Sequence, residues 1–196
     1  MQRVMVFIDF ENFNIAAQQY YESLKKRSPR LDYNIFPRKL VEKLPGEQNR
    51  LIKTFLFAPK PDDFLMQDSR RAGTYKWIDG MKNQRYFTVI EGRHVARPIE
   101  GASMNINDKS TYFVEEKGTD VNMAAHMITK GFLNAYDTAV VMSGDTDYIP
   151  TLEILNTIGK TTVCVGVQSQ NMERFRKTSD DIILLDESFF NNCLRP

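Results

Sequence analysis

Two aspartates one residue apart, Asp145 and Asp147, follow an apolar run in "VVMSGDTDYIP". Like charges that close make each other harder to ionise, so at least one pKa is expected to rise. A helix cap explains either acid alone, because Asp at a helix start accepts free backbone N–H groups and favours the dipole. It does not explain the pair. Pro150 locates the helix that follows: proline is tolerated only in a first turn, so the helix begins near Thr146 or Asp147. Asp9 ends the apolar run "RVMVFID", and Asp120 opens a helical run in "EEKGTDVNMAAHM". Asn12 follows Asp9 by one helical turn and turns its amide to the same rim. If the four carboxylates converge, a divalent cation is needed to hold them. The candidate ligands are oxygens, with no His or Cys beside them, which selects hard Mg²⁺ or Mn²⁺ over zinc. Mg²⁺ usually binds through a few carboxylates plus substrate phosphates, so the pattern points to phosphate chemistry.

Acids so far apart in sequence meet only if their strands share one carboxyl edge. Short β-branched runs do alternate with helical patterns. Strands are expected at Arg3–Asp9, Arg50–Pro59, Arg85–Gly92, "DTAVVMSGD", "KTTVCVGV" and "DIILLD". Helices are expected from Glu11 to Lys26, over Phe36–Leu44, Pro61–Lys82 and Val121–Ala135, in "YIPTLEILNTIG" closed by Gly159, and briefly in "QNMERFRKTS". In the first helix Ile15, Ala16, Gln19 and Leu24 have helical spacing. In the fourth, Val121, Ala124, Ala125, Ile128 and Phe132 form one apolar stripe, the expected core face. "RHVARPI" and "STYFVEEK" read as an antiparallel pair, a β-hairpin excursion around 93–117. Continuously apolar strands imply a mostly parallel sheet covered on both faces, with ligands in the crevice beyond the carboxyl ends.

The chain has 196 residues and no linker or repeat, so one domain over 1–196 is expected. Lys+Arg number 26 against 25 Asp+Glu, a formal net charge of +1, so no global charge drives binding to nucleic acid or to an anionic membrane. No GxGxxG follows the first strand and no P-loop is present, which argues against a dinucleotide or P-loop site. The 2 cysteines, Cys164 and Cys193, have no CxxC partner, and the 2 histidines add no zinc pattern. His94 and His126 are read as structural. The apolar N-terminal run is too short for a signal-peptide core, and nothing approaches the roughly 20 apolar residues of a membrane span. A reducing, cytoplasmic setting is expected.

"VFIDFENFN", "EEKGTDVNMAAHM", "VVMSGDTDYIPTL", "TTVCVGV" and "TSDDIILL" occur in the order found in NYN domains, and the chain resembles the LabA-like (DUF88) branch of the PIN-like nucleases. The resemblance runs from Val4 to about Leu185. It implies a Rossmannoid, three-layer α/β/α sandwich with a central parallel sheet, and a metal-dependent ribonuclease site built from acids. Carried onto this chain, Asp9, Asp120, Asp145 and Asp147 hold Mg²⁺ or Mn²⁺, and Asn12 matches the asparagine of the first motif. Lys117 matches the lysine of "KG.D" and is expected at a phosphate. Ser143 matches the family serine, which orients a carboxylate or a water near the substrate. Phe10 stands where the first motif often has glycine, and is expected to narrow the approach of substrate.

A substrate of RNA, single-stranded or in loops, would be gripped by cations on phosphates and by aromatic faces under bases. Arg70, Arg71, Tyr75, Lys76, Trp77, Arg85, Tyr86, Arg93 and Arg97 cluster in mid-chain. Arg174 in "ERFRK" is a further candidate, since that segment follows a strand's carboxyl end. Arg71, Lys76 and Arg174 are taken with Lys117 and Ser143 as the substrate contacts; Trp77 and Tyr86 are equally well read as packing. No membrane partner is expected, and a homodimer is left open. Two alternatives stand beside the nuclease. One is a silent RNA- or protein-binding module on the same fold. The other is a Toprim-like Mg²⁺ phosphotransfer enzyme, which would need a glutamate after the first strand, where Glu11 is a weak substitute for the strand-ending Asp9.

Overall fold

Six consecutive residues of the first strand, Val4 to Asp9, are buried, and a strand buried on both faces must carry helices on both. The computed structural model of the chain describes residues 1–46 and 48–195; Glu47 and Pro196, part of the unit expected over 1–196, lie outside the described residues. In chain order the elements are β1 (Gln2–Asp9), α1 (Phe10–Ser23), α2 (Phe36–Val41), β2 (Asn49–Pro61), α3 (Ser69–Gly80), β3 (Phe87–Pro98), β4 (Tyr112–Lys117), α4 (Thr119–Phe132), β5 (Thr138–Met142), α5 (Ile149–Thr157), β6 (Thr161–Val167), β7 (Asp181–Leu185) and α6 (Glu187–Asn191).

The seven strands form one sheet in the order β4-β3-β2-β1-β5-β6-β7. All pairs are parallel except β3 with β4. The chain moves outward from β1 through β2 and β3, then returns to β5 on the other side. The gap between β1 and β5 is therefore the switch point, where the crevice of an open α/β sheet lies. Alternation along β1 sends Val4, Val6 and Ile8 into a core with Phe13, Phe36 and Phe190, on the α1, α2 and α6 side. Met5 and Phe7 face Met123 and Met127 of α4 and Leu152 of α5 on the other. The fold is the expected three-layer α/β/α sandwich. No helix among the described residues is long and apolar enough to cross a membrane.

The antiparallel pair expected around 93–117 extends the main sheet. β3 runs unbroken to Pro98, and its outer half pairs with β4, His94 opposite Glu116. Two expected core faces are corrected. In α1, Phe13, Ala16, Ala17, Tyr20 and Tyr21 are buried while Ile15 is 51% exposed; the aromatic rings offer more apolar area than the isoleucine. In α4, Met123, Met127 and Gly131 are buried, and Val121 and Phe132 are left 73% and 66% exposed. The reason is positional. Asp120 shares a stripe with Met123, Met127 and Gly131 at i, i+3, i+7 and i+11. A helix that turns Asp120 toward the sheet edge must bury the methionines. Gly131 allows the approach of α5: a Cβ there would stand 3.0 Å from Leu155 and Ile158.

The helix after "SGDTD" begins as a 3-10 turn, Thr146–Tyr148, continues as α5 with Pro150 in its first turn, and is followed by Gly159 at φ +74°. "QNMERFRKTS" yields only a 3-10 turn, Glu173–Phe175, and α6 was not foreseen. Cys164 and Cys193 are free and buried.

Candidate functional site

The register between β1 and β5 pairs Ile8 with Met142, so Asp9 and Ser143 emerge side by side at the switch point. Asp9 lies on the Phe7 side of the sheet, facing α4 and α5. Ser143 Oγ donates to Asp9 Oδ2 at 3.0 Å and accepts the Asp145 N–H at 3.1 Å. Asp9 Oδ1 accepts the Asn12 N–H at 3.2 Å and so caps α1. Asn12 Oδ1 in turn accepts the Gly144 N–H at 2.8 Å, tying the β5 loop to α1. Asp145 Oδ1 accepts the Asp147 N–H at 3.0 Å, capping the turn into α5. Asp9 and Asp145 thus cap their helical turns from the switch point; Asp9 is 6% exposed and both of its carboxylate oxygens accept hydrogen bonds.

Tyr148, which the sequence reading passed over, links the two sides. Its hydroxyl donates to Asp120 Oδ1 at 2.8 Å and stands 3.5 Å from Asp9 Oδ2, and the residue is 1% exposed. Burial first, and then the charges of Asp9, Asp120 and Asp145, push the phenol far above its ordinary range, so it remains a hydroxyl donor. Burial first, with the charges of Asp120 and Glu116, raises the Asp9 carboxyl to about 6 against the lowering hydrogen bonds of Asn12 and Ser143. Asp120 is raised by desolvation and by Glu116, Asp145 and Asp147, although the Tyr148 bond lowers it. The pocket has more negative charge than counter-charge.

Among the described residues, the one trio of His, Cys, Asp or Glu with ligand atoms mutually within 4.8 Å is Glu11, His94 and Glu116; the four aspartates are not gathered that tightly. A hard dication that keeps several waters suits wider spacing. An all-oxygen rim with two raised carboxyls fits such a cation. The trio adds two glutamates to the surroundings of His94, the histidine expected to be structural; no described histidine joins the four aspartates. His94 is buried, with Nε2 3.2 Å from Glu11 and 3.8 Å from Glu116. Burial lowers its pKa, but the two glutamates outweigh that and raise it to about 9. Neither glutamate was among the expected site residues, although both lie inside the motifs, in "DFEN" and "EEKG". His126 packs against Phe55 and Phe57.

The expected substrate contacts divide. Arg71 lines a cleft of about 270 Å³ with Arg70, Lys109, Glu11 and His94, and none of the four aspartates is among the residues that line it. Lys76 is exposed on α3 and does not line it. Lys117 pairs with Glu115 at 3.1 Å, on the face of β4 opposite Glu116, because side chains alternate along a strand. Ser143 is 2% exposed and holds Asp9, so it positions a carboxylate and does not reach a substrate. Arg174 is exposed in the turn after β6 and makes no ion pair among the described residues. Phe10 is 7% exposed, packs on Trp77 with ring centroids 5.9 Å apart, and forms part of the wall of the cleft that Arg71 lines.

A family model described as NYN domain matches residues 3–186. Among solved structures, a crystal structure of a protein of unknown function from Vibrio parahaemolyticus RIMD 2210633 is similar in fold. Its TM-score is 0.59 at 16% identity, over 99% of this chain and 96% of that one. No curated protein matches the chain. With the family model spanning nearly every element, and Asp9, Asp120 and the "SGDTD" pair at the switch point of an α/β/α sandwich, the chain belongs to the NYN domain family.

Proposed function

We propose that the protein is a metal-dependent ribonuclease of the LabA-like branch, hydrolysing phosphodiester bonds in single-stranded or looped RNA in a reducing cytoplasm. The observation that carries this reading is the Tyr148 hydroxyl shared between Asp9 and Asp120 at the switch point. Two carboxylates from distant segments, both raised in pKa, face one crevice. Asp9, Asp120 and Asp145 would hold Mg²⁺ or Mn²⁺, with Asp147 at a second ion or at a water. Such a cation supplies charge neutralisation and Lewis acidity to the phosphoryl oxygens.

The chain's own residues do the rest. Ser143 and Tyr148 fix the carboxylates of Asp9 and Asp120, and Asn12 holds the loop that carries Asp145. Arg71, in the wall of the cleft that also reaches Glu11 and His94, would bind a phosphate of the entering strand. Water attacks phosphorus in line, the bond from phosphorus to the 3′ oxygen breaks, and the products carry a 5′-phosphate and a 3′-hydroxyl.

The test is cleavage of end-labelled single-stranded RNA in Mn²⁺ by the parent and by Asp145→Asn. A loss of about 100-fold or more is expected. Equal turnover would overturn the site assignment. RNA retained equally in EDTA, with no cleavage under any divalent ion, would make the protein a binding module.

A further inference from the structure

Glu11, His94 and Glu116 come from three elements, α1, β3 and β4. Two donors held by one cation at about 2.1 Å stand roughly 3.0–3.5 Å apart at right or tetrahedral angles. His94 Nε2 is 3.2 Å from Glu11 Oε2 and 3.8 Å from Glu116 Oε2, so the spacing is already close to that of a ligand set. His94 is buried while both glutamates are partly open, and the cleft beside Arg71 reaches Glu11 and His94, which gives an entry path.

A protonated histidine between two glutamates would also produce these distances, but it leaves Thr119 unexplained. The Thr119 hydroxyl is 2% exposed and adjoins the Glu116 carboxylate, yet it has no hydrogen bond of good geometry. It is held there by Gly92, where an added Cβ would stand 2.1 Å from Thr119 Oγ1. Buried polar groups are nearly always satisfied. A water in the shell of a cation at Glu116 supplies the missing partner, as outer-shell groups do in metal sites.

We propose that Glu11, His94 and Glu116 form a binding site for one transition dication, between Mn²⁺ and Zn²⁺ in character, separate from the aspartate pocket. The site does not depend on the ribonuclease reading. One imidazole nitrogen with two carboxylates suits a borderline cation better than Mg²⁺. The ion ties the β3–β4 edge to the start of α1, next to Asp9 and Asp120.

The experiment is a Co²⁺ titration of the whole chain, read by visible absorption and by thermal unfolding, with circular dichroism to establish that each variant folds. The parent is expected to bind Co²⁺ with a nitrogen-ligand spectrum and a raised Tm. His94→Gln and the isosteric Glu116→Gln should each weaken the Co²⁺ affinity read from the nitrogen-ligand band about 10-fold or more, while Asp145→Asn, which alters the all-oxygen pocket, leaves that band in place. If His94→Gln does not fold, Glu116→Gln carries the test. Binding as tight in Glu116→Gln as in the parent, or no Co²⁺ signal surviving Asp145→Asn, overturns the site and leaves an ion-paired histidine. RNA cleavage is not read, so a failure here is distinct from a failure of the nuclease reading.

Discussion

Tyr148 donates a 2.8 Å hydrogen bond to Asp120 from a position that is 1% exposed, joining the start of α5 to the start of α4. The bond links two helices that reach the crevice from different segments. Tyr148→Phe keeps the ring and removes the donor. Hydrogen bonds to charged groups contribute about 1.5–3 kcal/mol, so RNA cleavage should fall roughly 10-fold or more while the fold survives. Single-turnover cleavage with Mn²⁺, alongside near-UV circular dichroism, checks this. A Phe variant with parental turnover would remove the hydroxyl from any positioning role.

A second prediction concerns Gly92, whose closeness to α4 sets where Asp120 begins. A Cβ at Gly92 would meet Thr119 Oγ1 at 2.1 Å, the Thr119 backbone nitrogen at 2.9 Å and the Lys117 carbonyl at 3.0 Å. Backbone cannot yield as a side chain does, so Gly92→Ala should displace the first turn of α4. Overpacking of this kind costs about 1–3 kcal/mol. Urea unfolding should show that loss, and RNA cleavage should fall with it. Adding Thr119→Ala removes the closest contact but not the backbone ones, so it should recover part of the stability and not all.

That the four aspartates stand at strand–helix junctions could be read in advance, because junction signals are local: an apolar run, an acid, a helix start. Pro150 located α5 for the same reason. What failed depended on the direction an element faces. The exposed Val121 and Phe132 stripe of α4 is as apolar as the buried methionine stripe, and periodicity alone cannot choose between them. The choice is made by Asp120, whose orientation toward Tyr148 turns Met123 and Met127 inward. Glu116, His94 and Glu11 were missed because their meeting needs the β3–β4 register, which pairs His94 with Glu116. Tyr148 was passed over because a tyrosine after "DTD" reads as core, and it is core as well as a donor.

Arg71 gives a prediction about binding alone. It lines the cleft beside Glu11 and His94, whereas Lys76, on the same helix, does not. Arg71→Ala should weaken RNA binding about 3- to 10-fold and reduce the slope of log K against log salt by about one phosphate contact. Lys76→Ala should change neither by much. Fluorescence anisotropy at several salt concentrations, with Asp145→Asn as background to prevent cleavage, separates the two. Equal effects from both variants would mean that RNA does not follow this cleft.

The remaining prediction lies far from the crevice, where β1 begins. Asp137, just before β5, takes two hydrogen bonds from the Arg3 guanidinium, at 2.6 and 3.1 Å, and one from the Arg3 backbone N–H at 2.8 Å. The Arg3 side chain, and then its backbone N–H, hold the Asp137 carboxyl down at about 2. The folded chain therefore binds this proton less readily than the unfolded chain, whose aspartate titrates near its ordinary value of about 3.9. Stability from the pair is fully present above that ordinary value and is lost as pH falls toward about 2. Asp137→Asn should be less stable than the parent near neutrality, with the gap closing on acidification through this window. Because the carboxylate is 38% exposed, added salt should narrow the gap at neutral pH as well. Urea unfolding of both proteins at about pH 6 and about pH 3 decides it: a gap that does not change with pH would mean that the Arg3 pairing contributes nothing through charge.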